Sequence, residues 1–227
     1  MAATTDSDQA RIGALSYMYE TGSWADLSIV TATKTFRVHK CVVFPQNEVF
    51  YSAACAKGII GLKNSTFRVD ENEVVVDALL RHLYELPIAW LEQPPSGLGM
   101  SDQLLRRGTD CVRLMVAAGK YDLEELGDSA MRMFQSCMSS PSGSAVHMID
   151  LGCLFMDLTK DLTHLSLYKE GREFVATATH HNLAEIATCT LVWKKLYANE
   201  EFMRQVMFKA ASIGREATKK RSAPDED

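Results

Sequence analysis

The 227-residue chain reads as an α+β protein, a small β-sheet flanked by helices and followed by an all-α C-terminal extension. Two observations lead there. Period-two alternation is confined to short runs within 26–39 and 65–69, whereas apolar residues elsewhere recur at i, i+3, i+4 and i+7. After the small-residue segment SSPSGS at 139–144, only the helical period remains. An apolar content of 47% with 23% charged residues is ordinary globular usage, and the length suits one large domain or two small ones.

Taken in order, residues 10–20 place Ile12, Leu15 and Tyr19 on one helical stripe that stops near Gly22. Asp26–Val30 and Thr35–His39 then read as two strands. Leu27 and Ile29 share one face of the first, Phe36 and Val38 one face of the second, and the short connection 31–34 makes a hairpin. Past Pro45, Asn47 is an N-cap for a helix carrying Val49, Phe50, Ala53 and Ala54. Ser65–Val69 forms a third strand. Asp70 and Glu73 have capping-box spacing and open a helix bearing Val76, Leu79, Leu80 and Leu83, which ends before Pro87.

Residues 91–101 are rich in Pro, Gly and Ser and read as a loop. Cys111, Leu114, Met115 and Ala118 return to helical spacing, and Asp122 with Glu125 caps the helix carrying Leu123, Leu126, Ala130 and Phe134. Beyond 144, Val146, Ile149, Cys153 and Met156 form one face, and Leu183, Ile186, Ala187, Thr190 and Leu191 form another. Asn199 caps a last helix with Phe202, Val206, Ala210 and Ile213. The expected organisation is a disordered N-terminus at 1–9, a domain at 10–137, a linker at 138–144, a helical extension at 145–213 and a disordered tail at 214–227.

Several function classes lose support. With 24 Lys+Arg against 29 Asp+Glu, the formal charge is −5, which disfavours nucleic-acid binding through phosphate neutralisation. The richest apolar run, 145–158, is interrupted by Asp150 and Asp157, so no membrane span is expected, and the polar, acidic start is no secretory signal. The six cysteines include no CxxC pair, and the reading is of reduced thiols in a cytoplasmic or nuclear protein. In that compartment the glycosylation sequon at Asn64-Ser65-Thr66 is silent.

Phosphate-binding motifs fail too. Gly119-Lys120 is followed by Tyr121 rather than Ser or Thr, and Gly97-Leu98-Gly99 has no third glycine in register. No GxSxG elbow exists. His180 and His181, adjacent on a helix, point about 100° apart and do not share a ligand sphere. Cys41 follows His39 by two residues, but packing explains this pair better than thiol catalysis, because no oxyanion hole or third group is visible. No catalytic residue, cofactor or metal site is expected.

The ordered string WADLSIVTATKTFRVHKCVVFPQNEVFYSAAC at 24–55 resembles the opening of a BTB/POZ domain, through Asp26, Phe36, Val38, His39, Lys40 and Phe50. The likeness continues through Phe67-Arg68-Val69, through VDALLRHLYELPI (76–88), and through Ala118, Lys120, Tyr121 and Leu126, covering about residues 15–135. The wording is most similar to fungal stand-alone BTB proteins. This resemblance implies a non-catalytic protein-binding scaffold that self-associates, with a cullin as an alternative partner if the chain is a ubiquitin-ligase substrate adaptor. It implies a homodimer interface on Ile12, Leu15, Met18 and Tyr19, the alternative being that the stripe packs on its own domain. Asp26 and Lys40 match a charged pocket near such an interface, or else form a partly buried ion pair beside a hydrogen-bonded His39. A cullin face would fall on Ile60, Leu62 and Tyr84. The segment 58–64 lacks the Glu that usually follows the hydrophobe there.

Overall fold

A computed structural model describes residues 6–62, 65–93, 100–140, 143–162 and 165–222, and in it the protein is mixed α+β, mostly helical, with a three-stranded sheet. Asn64 of the sequon, residues 94–99 of the expected loop, 141–142 of the linker, the first five residues and 223–227 lie outside the described residues. Helix α1 (Asp6–Thr21) starts before the expected residue 10 and ends at Gly22, whose φ is +60° and whose N–H bonds the Met18 carbonyl at 2.9 Å. A Cβ at Gly22 would lie 2.9 Å from that of Arg37, so the chain needs glycine there twice over.

Strands β1 (Leu27–Val30) and β2 (Thr35–Val38) pair antiparallel, with Leu27 opposite Val38 and Ile29 opposite Phe36, all four buried. Thr31 closes the hairpin, its hydroxyl accepting the Lys34 N–H at 2.9 Å. Strand β3 (Ser65–Arg68) pairs in parallel with the other edge of β1, giving the order β2-β1-β3. A parallel neighbour needs a long crossover, supplied by α2 (Lys40–Gln46) and α3 (Glu48–Ala56). Helix α2 is not among the expected elements; Pro45 falls in its last turn. Asn47 caps α3 as expected, its Oδ1 accepting the Phe50 N–H at 2.9 Å. Phe50 stacks on Tyr121 at 4.6 Å and meets Phe67 edge-on.

Helix α4 (Glu73–Leu83) buries Val76, Leu79, Leu80 and Leu83 as the periodicity requires. Its cap is Asn72, whose side chain accepts the Val75 N–H, and not Asp70, which lies a further two residues upstream. The short helix α5 (Ala89–Glu92) follows, then α6 (Met100–Lys120), which begins inside the expected loop, and α7 (Glu124–Met138). Asp122 does not cap α7. Its φ of +55° and the Leu123 N–H bond to the Ala118 carbonyl make it the left-handed residue that closes α6.

The chain forms two compact units, Met1–Gln93 with Arg113–Ala130, and Pro94–Val112 with Met131–Asp227. The division passes within α6 and α7 rather than at 138–144.

In the second unit, α8 (Ala145–Leu158) is followed by a 3-10 turn at Lys160–Leu162, then α9 (Ser166–His181), α10 (Leu183–Thr188), α11 (Thr190–Ala198) and α12 (Glu200–Ser222). The buried face of α8 is broader than expected, with Met148, Leu151 and Phe155 joining Ile149 and Met156. Glycines on α8 and α9 permit close helix approach. A Cβ on Gly152 would lie 2.6 Å from the Phe202 ring, and one on Gly171 2.5 Å from the Met131 methyl. The single apolar face expected over 183–191 is instead divided at Cys189, leaving Ile186 buried and Leu191 exposed. Asn199 caps α12 as expected, accepting the Phe202 N–H at 3.0 Å, and the helix runs on past Gly214 to Ser222. No helix among the described residues is long and apolar enough to cross a membrane.

Candidate functional site

The residues singled out in the first unit meet around the start of α2. Asp26, just ahead of β1, turns its carboxylate onto the Lys40 backbone N–H at 2.9 Å, satisfying a donor that the first turn of a helix leaves free. The Lys40 ammonium is buried, and its partners are carbonyls: Ile59 at 3.1 Å, Ile60 at 3.3 Å and Leu62 at 2.5 Å. Three donors thus meet three acceptors. Asp26 and Lys40 are therefore joined through the backbone of Lys40, with no side-chain ion pair between them. The charge holds the segment after α3 in place, helped by Ser65, whose hydroxyl donates to the Ile59 carbonyl at 2.7 Å.

That segment presents Ile60 and Leu62 outward, at 37% and 54% exposure. Tyr84, expected beside them on a cullin face, is instead fully buried. Its ring packs 5.1 Å from that of Tyr19. Its hydroxyl accepts the His39 backbone N–H at 2.9 Å and lies 2.7 Å from His39 Nδ1. His39 Nε2 is 2.7 Å from the Ser23 carbonyl, which only accepts, so in the neutral imidazole Nε2 carries the hydrogen and Nδ1 accepts from Tyr84. Burial raises the Tyr84 phenol well above its usual pKa, which keeps it a donor. Both ring nitrogens of His39 are engaged away from Cys41, itself exposed.

The α1 stripe of Ile12, Leu15, Met18 and Tyr19 is half-buried throughout. Tyr19 is turned inward, donating its hydroxyl to Asp77 at 2.8 Å, with the Arg81 guanidinium 5.2 Å from its ring centre. Burial and the Asp77 carboxylate together raise its pKa. Arg81 in turn bonds Asp77 and Glu20, each at 2.7 Å, and Arg11 pairs with Glu85 at 2.7 Å. The helix is thus fastened to α4 and the residues just after it.

What the stripe leaves outside is an aromatic pair that periodicity does not single out, Tyr17 at 56% and Trp24 at 78% exposure, with ring centroids 6.4 Å apart. Trp24 has a φ of +63°, a conformation unfavourable for a bulky side chain. Its flanks hold it there. The Ser23 carbonyl is bound by His39, the Ala25 N–H reaches the Gly22 carbonyl at 3.3 Å, and the Asp26 N–H reaches the Val38 carbonyl at 3.2 Å. A positive φ on tryptophan has no local sequence signature beyond the neighbouring Gly22.

Among the described residues, no group of three His, Cys, Asp or Glu side chains is placed to hold a metal ion. No protein-family model matches the chain, and no curated protein is significantly similar to it.

Proposed function

We propose that the protein is a non-catalytic, intracellular protein–protein interaction module of BTB/POZ type, a scaffold that self-associates as a homodimer. The observation that carries this reading is the Tyr17–Trp24 pair, solvent-facing on the same helix and turn as the half-buried Ile12, Leu15 and Met18. Large aromatics on rigid supports are the residues on which protein interfaces concentrate their energy, and backbone strain at an exposed tryptophan is the kind held at functional positions. An isologous contact would set each copy's aromatic pair against the same patch of the other. The order of elements supports the family reading: a hairpin, a helix with buried Phe50, a third strand, and α4 follow in the sequence the resemblance requires.

Sedimentation velocity tests it. The wild-type chain is expected to sediment as a dimer at micromolar concentration, and Trp24→Ala to weaken association by about 2 kcal/mol or more. A wild-type monomer at about 100 μM, an affinity weaker than about −5.5 kcal/mol, would overturn it.

A second reading, substrate adaptor of a cullin-RING ubiquitin ligase, is favoured by Ile60 and Leu62, exposed on a segment whose carbonyls bond the Lys40 ammonium. Calorimetric titration with the N-terminal domain of the BTB-binding cullin decides it. Saturable heat that is lost in Leu62→Ala supports an adaptor; no heat at tens of micromolar, weaker than about −6 kcal/mol, removes it.

A further inference from the structure

The second unit holds a cavity of about 750 Å³ between α9 and α12. Its charges do not balance. Glu173 is engaged by Lys209 at 2.9 Å, and Glu201 by Arg204 at 3.0 Å and by Gln205 at 2.7 Å. Two cations remain. Lys169, exposed, has no ion pair among the described residues. Arg172 is 5% exposed, its Nε–H has no hydrogen-bond partner among the described residues, and Nη1 reaches only the Met156 carbonyl, at 3.5 Å. A buried guanidinium presents five donors and is ordinarily satisfied by an oxyanion that fits its planar fork. Burial lowers the Arg172 pKa, with Glu201 acting in the opposite sense. Phe208 lines the same cavity at 76% exposure.

We propose that this trough binds an acidic peptide segment of a partner protein, with a carboxylate side chain on Arg172, a second acidic group near Lys169, and an apolar side chain against Phe208. Shape and charge argue for a peptide. The lining residues run from Lys169 to Ala176 on α9 and from Glu201 to Ser212 on α12, about 10 Å and about 16 Å of helix. An extended peptide covers that length with about five residues. Unpaired cations beside an exposed aromatic fit alternating acidic and apolar side chains, and a small acid would leave most of the trough empty. The proposal rests on the second unit alone and stands or falls independently of self-association through α1.

The test is selection of random peptides about twelve residues long, displayed on phage, against the full chain, followed by fluorescence anisotropy with a synthetic copy of the enriched peptide. The expected result is enrichment of Asp or Glu within two or three residues of a large apolar residue. Binding should weaken with added salt and fall by about tenfold or more in Lys169→Ala and in Phe208→Ala. Both positions are exposed, so neither variant endangers folding, and Arg172→Gln should bind no better than either. Enrichment without acidic residues, no enrichment at all, or unchanged affinity in both surface variants would overturn the proposal. Displacement of the peptide by equimolar glutarate would also overturn it, assigning the cavity to a small organic acid.

Discussion

Replacing Tyr84 by Phe removes one oxygen and strands two buried groups. The His39 N–H loses its acceptor and Nδ1 loses its donor, while the ring still fills its space. Each stranded group carries a desolvation penalty of about 1–3 kcal/mol, so Tyr84→Phe is expected to destabilise the chain by about 2–4 kcal/mol in urea unfolding; a loss near zero would mean that water replaces the hydroxyl. Lys40→Met tests the neighbouring cage. It keeps most of the aliphatic stem but leaves three carbonyls without their ammonium, for an expected loss of about 2–4 kcal/mol. Amide exchange should accelerate at Leu62 and Ser65, whose N–H groups bond within this segment and to Asp26. Exchange rates identical to wild type would show that the segment holds itself. These roles differ in how far they can be read from sequence. Asp26, Lys40 and His39 stand out through the resemblance, but the Lys40 ammonium bonds backbone carbonyls, which leave no trace in side-chain identity.

Helix ends are where element-level reading succeeds or fails, for a chemical reason. Asn47 and Asn199 cap α3 and α12 as their identity predicts, because a short side chain must reach its own helix's N–H groups. C-terminal closure is less legible. Gly58, Glu85 and Asp122 all take positive φ after a helix, with the following N–H bonded back to Ala54, Arg81 and Ala118 respectively. Only the first is a glycine, so only the first is visible in advance. Asp122→Gly should therefore stabilise the chain by about 0.5–1 kcal/mol through relief of left-handed strain, read as a raised urea midpoint; a lowered midpoint would show that the Asp side chain contributes more than its backbone strain costs. Asn47→Ala should act oppositely and exceed an ordinary cap loss of about 1 kcal/mol. Its Nδ2 also donates to the Tyr121 carbonyl at 2.6 Å, tying α3 to the end of α6. Asn72, whose side chain among the described residues bonds only the Val75 N–H, should show the ordinary loss, so a smaller effect at Asn47 than at Asn72 would contradict the double role.

At the scale of the whole molecule, composition and periodicity suffice for an α+β chain, because burial of one face per element is written in residue spacing. How the chain divides is not written there. The sharpest compositional break, 139–144, is not where the compact units part; they part inside α6 and α7, whose apolar residues follow one helical period on both sides of each division.

Both units nonetheless share one physical response, to alkali. Burial raises the phenols of Tyr19, Tyr84 and Tyr121 in the first and of Tyr168 in the second. It raises the Cys111 thiol and pushes those of Cys137 and Cys153 up to about 11 from an ordinary 9.0. Each of these groups is held neutral in the folded chain and ionises more readily once unfolded. The unfolded state therefore binds fewer protons above pH 9, and stability must fall as pH rises. For Cys137 and Cys153 the contribution is whole below pH 9.0 and is lost progressively as pH climbs toward about 11. The buried phenols extend the decline upward. Urea midpoints measured in steps from pH 7 to 10.5 should hold level below about pH 8.5 and then drop, and Cys137→Ala with Cys153→Ala should flatten the early part of that drop. Thiol labelling at pH 8 supplies the matching kinetic readout, with exposed Cys41 and Cys55 reacting first and buried Cys111 and Cys137 only on unfolding. A midpoint rising between pH 9 and 10.5, or rapid labelling of Cys111 in the folded protein, would mean that these groups meet water in the native state.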